Sequence, residues 1–424
     1  MKKPVLILIA ILILPGIFSQ QPDTLRIENC LRIAYERSPL GRQKINSTES
    51  FTYKVKNLNT RWYPSVDFSA QAIYNSETVR FSDLMEGLPV SIPSLPLDQY
   101  KFWADINQQL FDGGTVKAQK AIEKAGYEAD IQQTESELLG IKQQVSQLYF
   151  SILLTQKSSA VFQVTLDELI ERKKIIQAGV NLGAVLPEEM LALEAEEIRL
   201  QQNITELKLT REYLVKALSI LMDSTLAENL VIAEPADHGI PNESINRPEH
   251  ILFNKQKERL MASQKLITAS DLPKLFAFSQ AAYGRPGYNF LSRDFHTFYS
   301  VGLGMKWDFL NYGDNRRQKK ILDIQKDMVE IKRETFDDQL NIQLQSENTN
   351  LIKYDELLKQ DEHVVELRKA IAASSLSKLT EGVITSTDYL RDLNAEILAI
   401  LQFENHKILK LQASYNYRLL QGNL

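Results

Sequence analysis

Apolar residues return at steps of three and four through one long stretch of this chain: Leu138, Ile141, Val145, Leu148 and Ile152, then Phe162, Leu166, Leu169 and Ile176. The spacing is a heptad seam, and Thr155, Ser159 and Lys173 interrupt it without shifting its phase. From Val116 to about Ala178 there is no proline, and the only glycines are Gly126 and Gly140. The pattern predicts a single helix about 95 Å long at ~1.5 Å per residue, more than an ordinary globular core needs. The stretch then recurs. Gly114 to Gly183 and Gly313 to Gly382 are equal intervals, and Leu340, Leu344, Leu351, Leu358 and Val365 fall in the first copy's phase. Two equal rods predict an internal duplication.

Ahead of each rod the period changes to two. Val66, Phe68, Ala70, Ala72 and Tyr74 alternate with Asp67, Ser69, Gln71 and Asn75, broken only at Ile73. Phe102, Ala104, Ile106 and Leu110 alternate with Asp105, Asn107 and Gln109. In the second copy Leu275, Ala277, Ser279, Ala281 and Tyr283 are followed by Tyr299, Val301, Leu303, Met305, Trp307 and Phe309, set against Ser300, Gly302, Gly304, Lys306 and Asp308. These runs predict two-faced strands at about 65–75, 100–111, 274–284 and 298–309.

Short helices are expected before the first strand, over Asp23–Ser38 and about Leu40–Arg61, the second stopping ahead of Pro64. After Gly179–Gly183 the chain turns back. Pro187, Glu188 and Glu189 suit the first turn of a return helix carried by Leu193, Leu200, Ile204, Leu207, Leu214, Leu218 and Leu221. Leu390, Leu393, Ile397, Ile400, Ile408, Leu411 and Tyr415 carry its counterpart. The aperiodic stretch 223–246, with Pro235, Gly239 and Pro241, reads as a linker. The second copy opens at Asn246-Arg247-Pro248-Glu249, and Pro39 to Pro64 equals Pro248 to Pro273 in length. The expected plan is therefore a signal peptide at 1–19, a first repeat at 20–222 with its helical hairpin at 114–222, the linker, and a second repeat at 247–424 with its hairpin at 313–421.

The ends and the composition narrow the function. Met1-Lys2-Lys3, the apolar run Val5 to Leu14 and Pro15-Gly16 predict a signal peptide cleaved near Ser19. A membrane anchor is the alternative, but it needs ~20 apolar residues. The net charge of −5 leaves no basic excess for nucleic acid. Cys30 is the only cysteine, which excludes a disulfide framework; beside Leu25, Ile27, Leu31 and Ala34 it reads as a small buried hydrophobe. His238, His250, His296, His363 and His406 have no ligand spacing, so neither metal nor cofactor is expected. Gly302-Leu303-Gly304 is only part of a dinucleotide fingerprint, and it lies within an alternating strand. No nucleophile constellation appears, so no catalytic residue is assigned and an enzyme is not expected.

Strands with one apolar and one polar face suit a sheet between lipid and water. In a bilayer every backbone polar group is paired internally, so such a sheet must close on itself. Four strands are too few, because the smallest spanning barrels have about eight. The chain must then oligomerise if these strands enter a membrane. Trp62, Trp103, Trp307 and several tyrosines flank the strands as aromatic girdles do. The alternative is a soluble sheet packed on the helices. The rods are equally open between one solvated antiparallel coiled coil per repeat and a hollow helical cylinder with a polar lumen.

Taken together, the duplicated strand pairs, the rods opening after Phe111-Asp112-Gly113-Gly114 and Asn311-Tyr312-Gly313-Asp314, the Asn-Arg-Pro-Glu helix start and the glycine tips resemble the TolC-like outer-membrane efflux proteins. The resemblance covers essentially the whole mature chain. It implies a mainly α protein with a membrane β-barrel: a homotrimer whose four strands per chain make a twelve-stranded barrel, and whose helices make a periplasmic tunnel. The implied partners are outer-membrane lipid, a periplasmic adaptor (membrane fusion) protein and an inner-membrane transporter. Adaptor contact would fall at the tips, on Gly179, Leu182, Gly183, Gly382 and Val383. The family pattern puts gating aspartates six and nine residues after the second tip glycine, here Asp388 and Arg391, the latter reversed in sign. Its latching tyrosine and arginine fall on Leu379 and Ile384, which points to a mainly hydrophobic latch. Asp388 is read either as a gate residue or as a carboxylate favouring a helix N-terminus. The functional expectation is a passive efflux or export conduit in the outer membrane, reaching into the periplasm. The alternatives are a protein-secretion channel and, from another class, a soluble periplasmic coiled-coil adaptor.

Overall fold

The computed structural model describes residues 24–79, 94–183, 185–227, 230–237, 239, 244–290, 292–310 and 312–424. The leader at 1–19, most of the first strand–strand loop with Gly87, Pro89 and Pro93, and His238, Pro241 and Asn311 lie outside these residues. The described chain is mainly helical. Its elements run β1 (Thr24–Leu25), α1 (Ile27–Arg37), α2 (Leu40–Asn59), β2 (Ser65–Tyr74), β3 (Asp98–Phe111), α3 (Thr115–Asn181), α4 (Pro187–Leu221), β4 (Val231–Ile232), α5 (Pro248–Ser270), β5 (Lys274–Arg285), β6 (His296–Lys306), α6 (Asp314–Thr380) and α7 (Ser386–Gln421). None of these helices is long and apolar enough to cross a membrane.

The chain forms two compact units, and neither is a sequence half. Of the described residues, those within 24–38, 140–244 and 344–424 make one, and those within 39–139 and 245–343 make the other.

In the second of these, β2, β3, β5 and β6 make a four-stranded antiparallel sheet in the order β2-β3-β5-β6. The turn into α3 follows from Asp112. Its carboxylate accepts the backbone N–H groups of Gly114 at 2.8 Å and Val116 at 2.6 Å, satisfying donors that the helix start leaves free. Gly113 has φ +69°, and a Cβ there would meet the Ala269 carbonyl oxygen at 2.6 Å, so both backbone sign and space require glycine. At the start of α5 the Asn-Arg-Pro-Glu sequence has a physical role. Arg247 donates twice to Glu249, at 2.9 and 2.6 Å, Ser136 donates to Glu249 at 2.7 Å, and the guanidinium lies over the Phe336 ring. Both charged side chains are buried, a placement that the two-pronged pairing makes tolerable.

The other unit holds two apolar clusters. One gathers Ile27, Cys30 and Leu31 of α1 with Tyr149, Phe150 and Leu153 of α3, Leu218 of α4 and Tyr415 of α7. Its burial pushes the Cys30 thiol up to about 12. Here one expectation is corrected. Thr24–Leu25 is a strand rather than the start of a helix, and it pairs in parallel with Val231–Ile232, inside the segment read as linker. A two-residue strand carries no periodicity, so only its partners reveal it. Gln156 acts as a further rung: its side-chain oxygen accepts the Ile232 N–H at 3.0 Å and its amide donates to the Ile232 carbonyl at 3.2 Å. The Tyr149 hydroxyl lies 2.6 Å from the Ala233 carbonyl.

Candidate functional site

Alternation sets the two faces of the sheet, and the observed register aligns them across strands. One row joins Val66, Ile106, Ser279 and Val301, and the next joins Phe68, Ala104, Ala281 and Tyr299. Val66, Phe68, Phe102, Ile106, Val301, Leu303 and Met305 share this face and are exposed, Phe68 to 84% and Leu303 to 79%. Such a continuous apolar surface is unusual on a protein that meets only water.

The opposite face is polar. Its central row is Asp67, Asp105, Gln280 and Ser300. Asp105 accepts from the Trp103 indole and from Gln280, each at 2.7 Å, and Lys101 donates to Gln280 at 3.0 Å while lying over the Trp103 ring. Asp67 and Asp105 therefore lie where the alternation put them. Asp308 does not: β6 ends at Lys306, so Trp307, Asp308 and Phe309 fall beyond the strand. The Trp307 indole instead donates to the Asp271 carbonyl at 3.0 Å, a capping contact outside the ladder.

The structure also explains Gly302 and Gly304. Their register partners are Phe278 and Phe276, whose rings fold across onto them; a Cβ on either glycine would meet a ring carbon at 2.5 Å. Sequence reasoning placed these glycines within an alternating strand and did not point to the two phenylalanines that cover them. The signal was there in the alternation of Phe276 and Phe278 on the polar phase of β5.

The helix tips lie in the other unit. α6 ends in a left-handed turn at Gly382 (φ +73°), with Gly382 N–H to Leu379 C=O at 3.0 Å and Val383 N–H to Lys378 C=O at 2.8 Å, the pair of bonds that closes a helix C-terminus. α3 ends likewise at Gly183 (φ +71°), with Gly183 N–H to Val180 C=O at 3.0 Å. Gly179 is required for closeness, since a Cβ would meet Val185 Cγ2 at 2.7 Å. The two turns present exposed apolar side chains, Leu182 at 84% and Val383 at 67%.

Of the gate candidates, Asp388 and Arg391 come together and Leu379 and Ile384 stand apart from them. Thr385 caps α7: its hydroxyl oxygen accepts the Asp388 N–H at 3.2 Å and its O–H donates to the Asp388 carboxylate at 2.9 Å. Arg391 lies 3.6 Å from Asp388 and 3.5 Å from Asp392, all on the tip's solvent side except the largely covered Asp392. Asp392 is held below the usual carboxylate range, mainly by the Ser375 hydroxyl and further by Arg391 and Arg368. Leu379 is only 8% exposed, in a core with Leu169, Ile176, Leu193, Tyr389 and Leu393, and Ile384 packs against that core. Within the single chain these two side chains hold the hairpins together and do not form a free apolar constriction. Tyr389 was not singled out from sequence; buried in the same core, its hydroxyl pKa is raised by desolvation.

A four-stranded sheet with a continuous exposed apolar face, joined in sequence to 67-residue helices that end in capped glycine turns, defines a class of protein. Residues 32–220 match the family model described as outer membrane efflux protein. Among solved structures the chain is similar to the outer-membrane channel OprN, at 13% identity and a TM-score of 0.73, covering 94% of this chain and 90% of that one. It is similar to the Campylobacter jejuni CmeC outer membrane channel at 15% identity and a TM-score of 0.69, covering 94% and 85%. It is also similar to the outer membrane protein VceC of Vibrio cholerae at 11% identity and a TM-score of 0.69, covering 93% and 96%. At these identities the structural likeness carries the fold. No curated protein matches the sequence significantly. The family model thus matches the stretch 32–220, and the chain shares its fold with solved outer-membrane channels.

Proposed function

We propose that three copies of this chain assemble one conduit: a twelve-stranded barrel in the outer membrane, continued by a helical tunnel in the periplasm and served by a periplasmic adaptor and an inner-membrane transporter. The observation that carries this reading is the sheet. Among the described residues β2 and β6 are its outer strands, each with one unpaired edge, while one face is apolar and exposed. In lipid those edges must be paired, and the sheet's own strands cannot reach each other to do so. The strands alternate in direction, so β6 of one copy runs antiparallel to β2 of the next and the ladder continues without a break in pattern. The equal 67-residue lengths of α3 and α6 support an internal duplication behind this arrangement. The same exposed apolar face argues against a soluble adaptor.

In this reading the tips at Gly179, Leu182, Gly183, Gly382 and Val383 meet the adaptor, and Asp388 with Arg391 forms the charged part of the gate. Membrane fractionation and mass measurement of the purified protein in amphipol test the assembly. The expected result is an outer-membrane species at three times the chain mass; a monomer in the soluble periplasmic fraction refutes it.

A further inference from the structure

An open groove of about 600 Å³ lies between α2, α3 and α5, within the unit that carries the sheet. That volume suits one drug-sized molecule. Its wall is built from two unlike parts. Phe51 and Tyr127 stack at 4.8 Å with their rings 10° from parallel, and the Tyr127 hydroxyl is held 3.1 Å from Thr48. Beside them Arg42 and Arg259 are both exposed to the groove, and neither guanidinium has a carboxylate partner among the described residues. The third cation, Lys54, is already committed to Glu123 at 3.0 Å. Two unpaired guanidiniums thus face one remaining carboxylate, Asp130. Gly126 forms part of the floor, and the absence of a side chain there leaves room for Arg259, whose guanidinium carbon would lie 3.8 Å from a Cβ.

The side on which this groove opens is readable from α3. Thr115 and Val116 line a second cavity together with Asn107, Gln109 and Phe276, residues on the polar face of the sheet. Moving along the helix by ~3.6 residues per turn from Val116 leads through Gln119 to Glu123, Tyr127 and Asp130, three of the α3 residues that line the groove. Groove and polar sheet face therefore share one side.

We infer that this groove binds an amphiphilic aromatic anion, its ring lying against the Phe51–Tyr127 stack and its carboxylate, sulfonate or phosphate taken by Arg42 and Arg259. Planar guanidiniums match such oxyanions with paired donors, and aromatic faces add ring stacking. The lumenal placement rests on the channel reading, in which the polar sheet face lines the conduit; the groove is then a station for aromatic anions on the conduit wall.

Calorimetric titration of 2-naphthoate into the full-length protein in nanodiscs, with empty nanodiscs as baseline and neutral 2-naphthylmethanol as comparison, tests the site. Naphthoate binds the native protein above baseline. Arg42→Gln and Arg259→Gln each weaken it roughly tenfold, the scale of a hydrogen bond to a charged group, while the neutral probe changes little. Phe51→Leu weakens both probes, and Arg391→Gln at the tip weakens neither. No binding above baseline, or equal binding by the Arg42→Gln/Arg259→Gln double variant, overturns the site. In planar bilayers naphthoate lowers native channel current and has less effect on the double variant. Binding with no effect on current overturns the lumenal placement and leaves the assembly, tested by mass, untouched.

Discussion

Introducing an arginine at Val301 measures directly whether the sheet meets lipid. Val301 is the sixth residue of the eleven in β6, 74% exposed, and its row continues through Ser279 and Ile106 to Val66. At ~3.3 Å per residue this strand is roughly 36 Å long, and a tilt of ~45° reduces its span to roughly 26 Å, close to the ~25 Å apolar band of outer-membrane barrels. Val301 then lies near the midplane, where Val301→Arg should cost ~2–4 kcal/mol. Ser300 is its immediate neighbour on the opposite face, in the row of Asp67, Asp105 and Gln280. Ser300→Arg stays in water beside carboxylates and should change stability by no more than ~0.5 kcal/mol. Reversible urea unfolding in liposomes, followed by tryptophan fluorescence, reads both values on one scale. Equal costs at the two positions, or a larger cost at Ser300, would falsify the assignment of faces.

Three further outcomes follow from the geometry. Gly302→Val drives a side chain into the Phe278 ring and should cost about 1–3 kcal/mol in the same assay, and a simultaneous Phe278→Ala should recover most of it; no recovery means the ring contact is not the cause. At the tips Asp388→Asn keeps an oxygen for the Thr385 hydroxyl but removes the charge, so single-channel recordings should show weaker divalent block with unchanged stability; Leu379→Ser should instead lower helix-unfolding stability by about 2 kcal/mol or more through lost core packing. If Asp388→Asn leaves block and conductance unaltered, Asp388 serves only the helix start. In thermal melts between pH 3 and 8, Asp392 and Glu396 should act in opposite directions. Asp392, depressed by Ser375, adds stability above an unfolded value of about 3.9 that is lost as pH falls through its lower folded value. Glu396 is raised by burial and by Glu168, so its contribution holds below about 4.3 and is lost as pH rises through its higher folded value. Asp392→Asn should therefore flatten the acid arm of the curve and Glu396→Gln should raise stability at neutral pH; the reverse pattern contradicts both assignments.

What was legible in the sequence is what repeats. Period-two alternation fixes which side of a strand each residue takes, so the faces at Val66, Asp67, Val301 and Ser300 were readable before any pairing was known. Heptad spacing and tip glycines announce long helices and their reversals, because 3.6-residue geometry and left-handed backbone leave strong local marks. What lacked a local mark needed the fold. The β1–β4 pair joins residues two hundred positions apart through two rungs, and its stabilising partners, Gln156 and Tyr149, are on a distant helix. The covering of Gly302 and Gly304 by Phe278 and Phe276 depends on register between strands, which a single strand's pattern does not contain. Leu379 was read as a latch from the family resemblance; that it is buried in the single chain, on the inner side of the tip, shows only in the packing of α6 against α3, α4 and α7. The groove at Arg42, Phe51, Tyr127 and Arg259 likewise gathers three helices whose separate patterns say only that these residues are not core. Periodicity is a property of one segment and survives in the sequence; a site made by neighbouring segments exists only once their relative register and rotation are set.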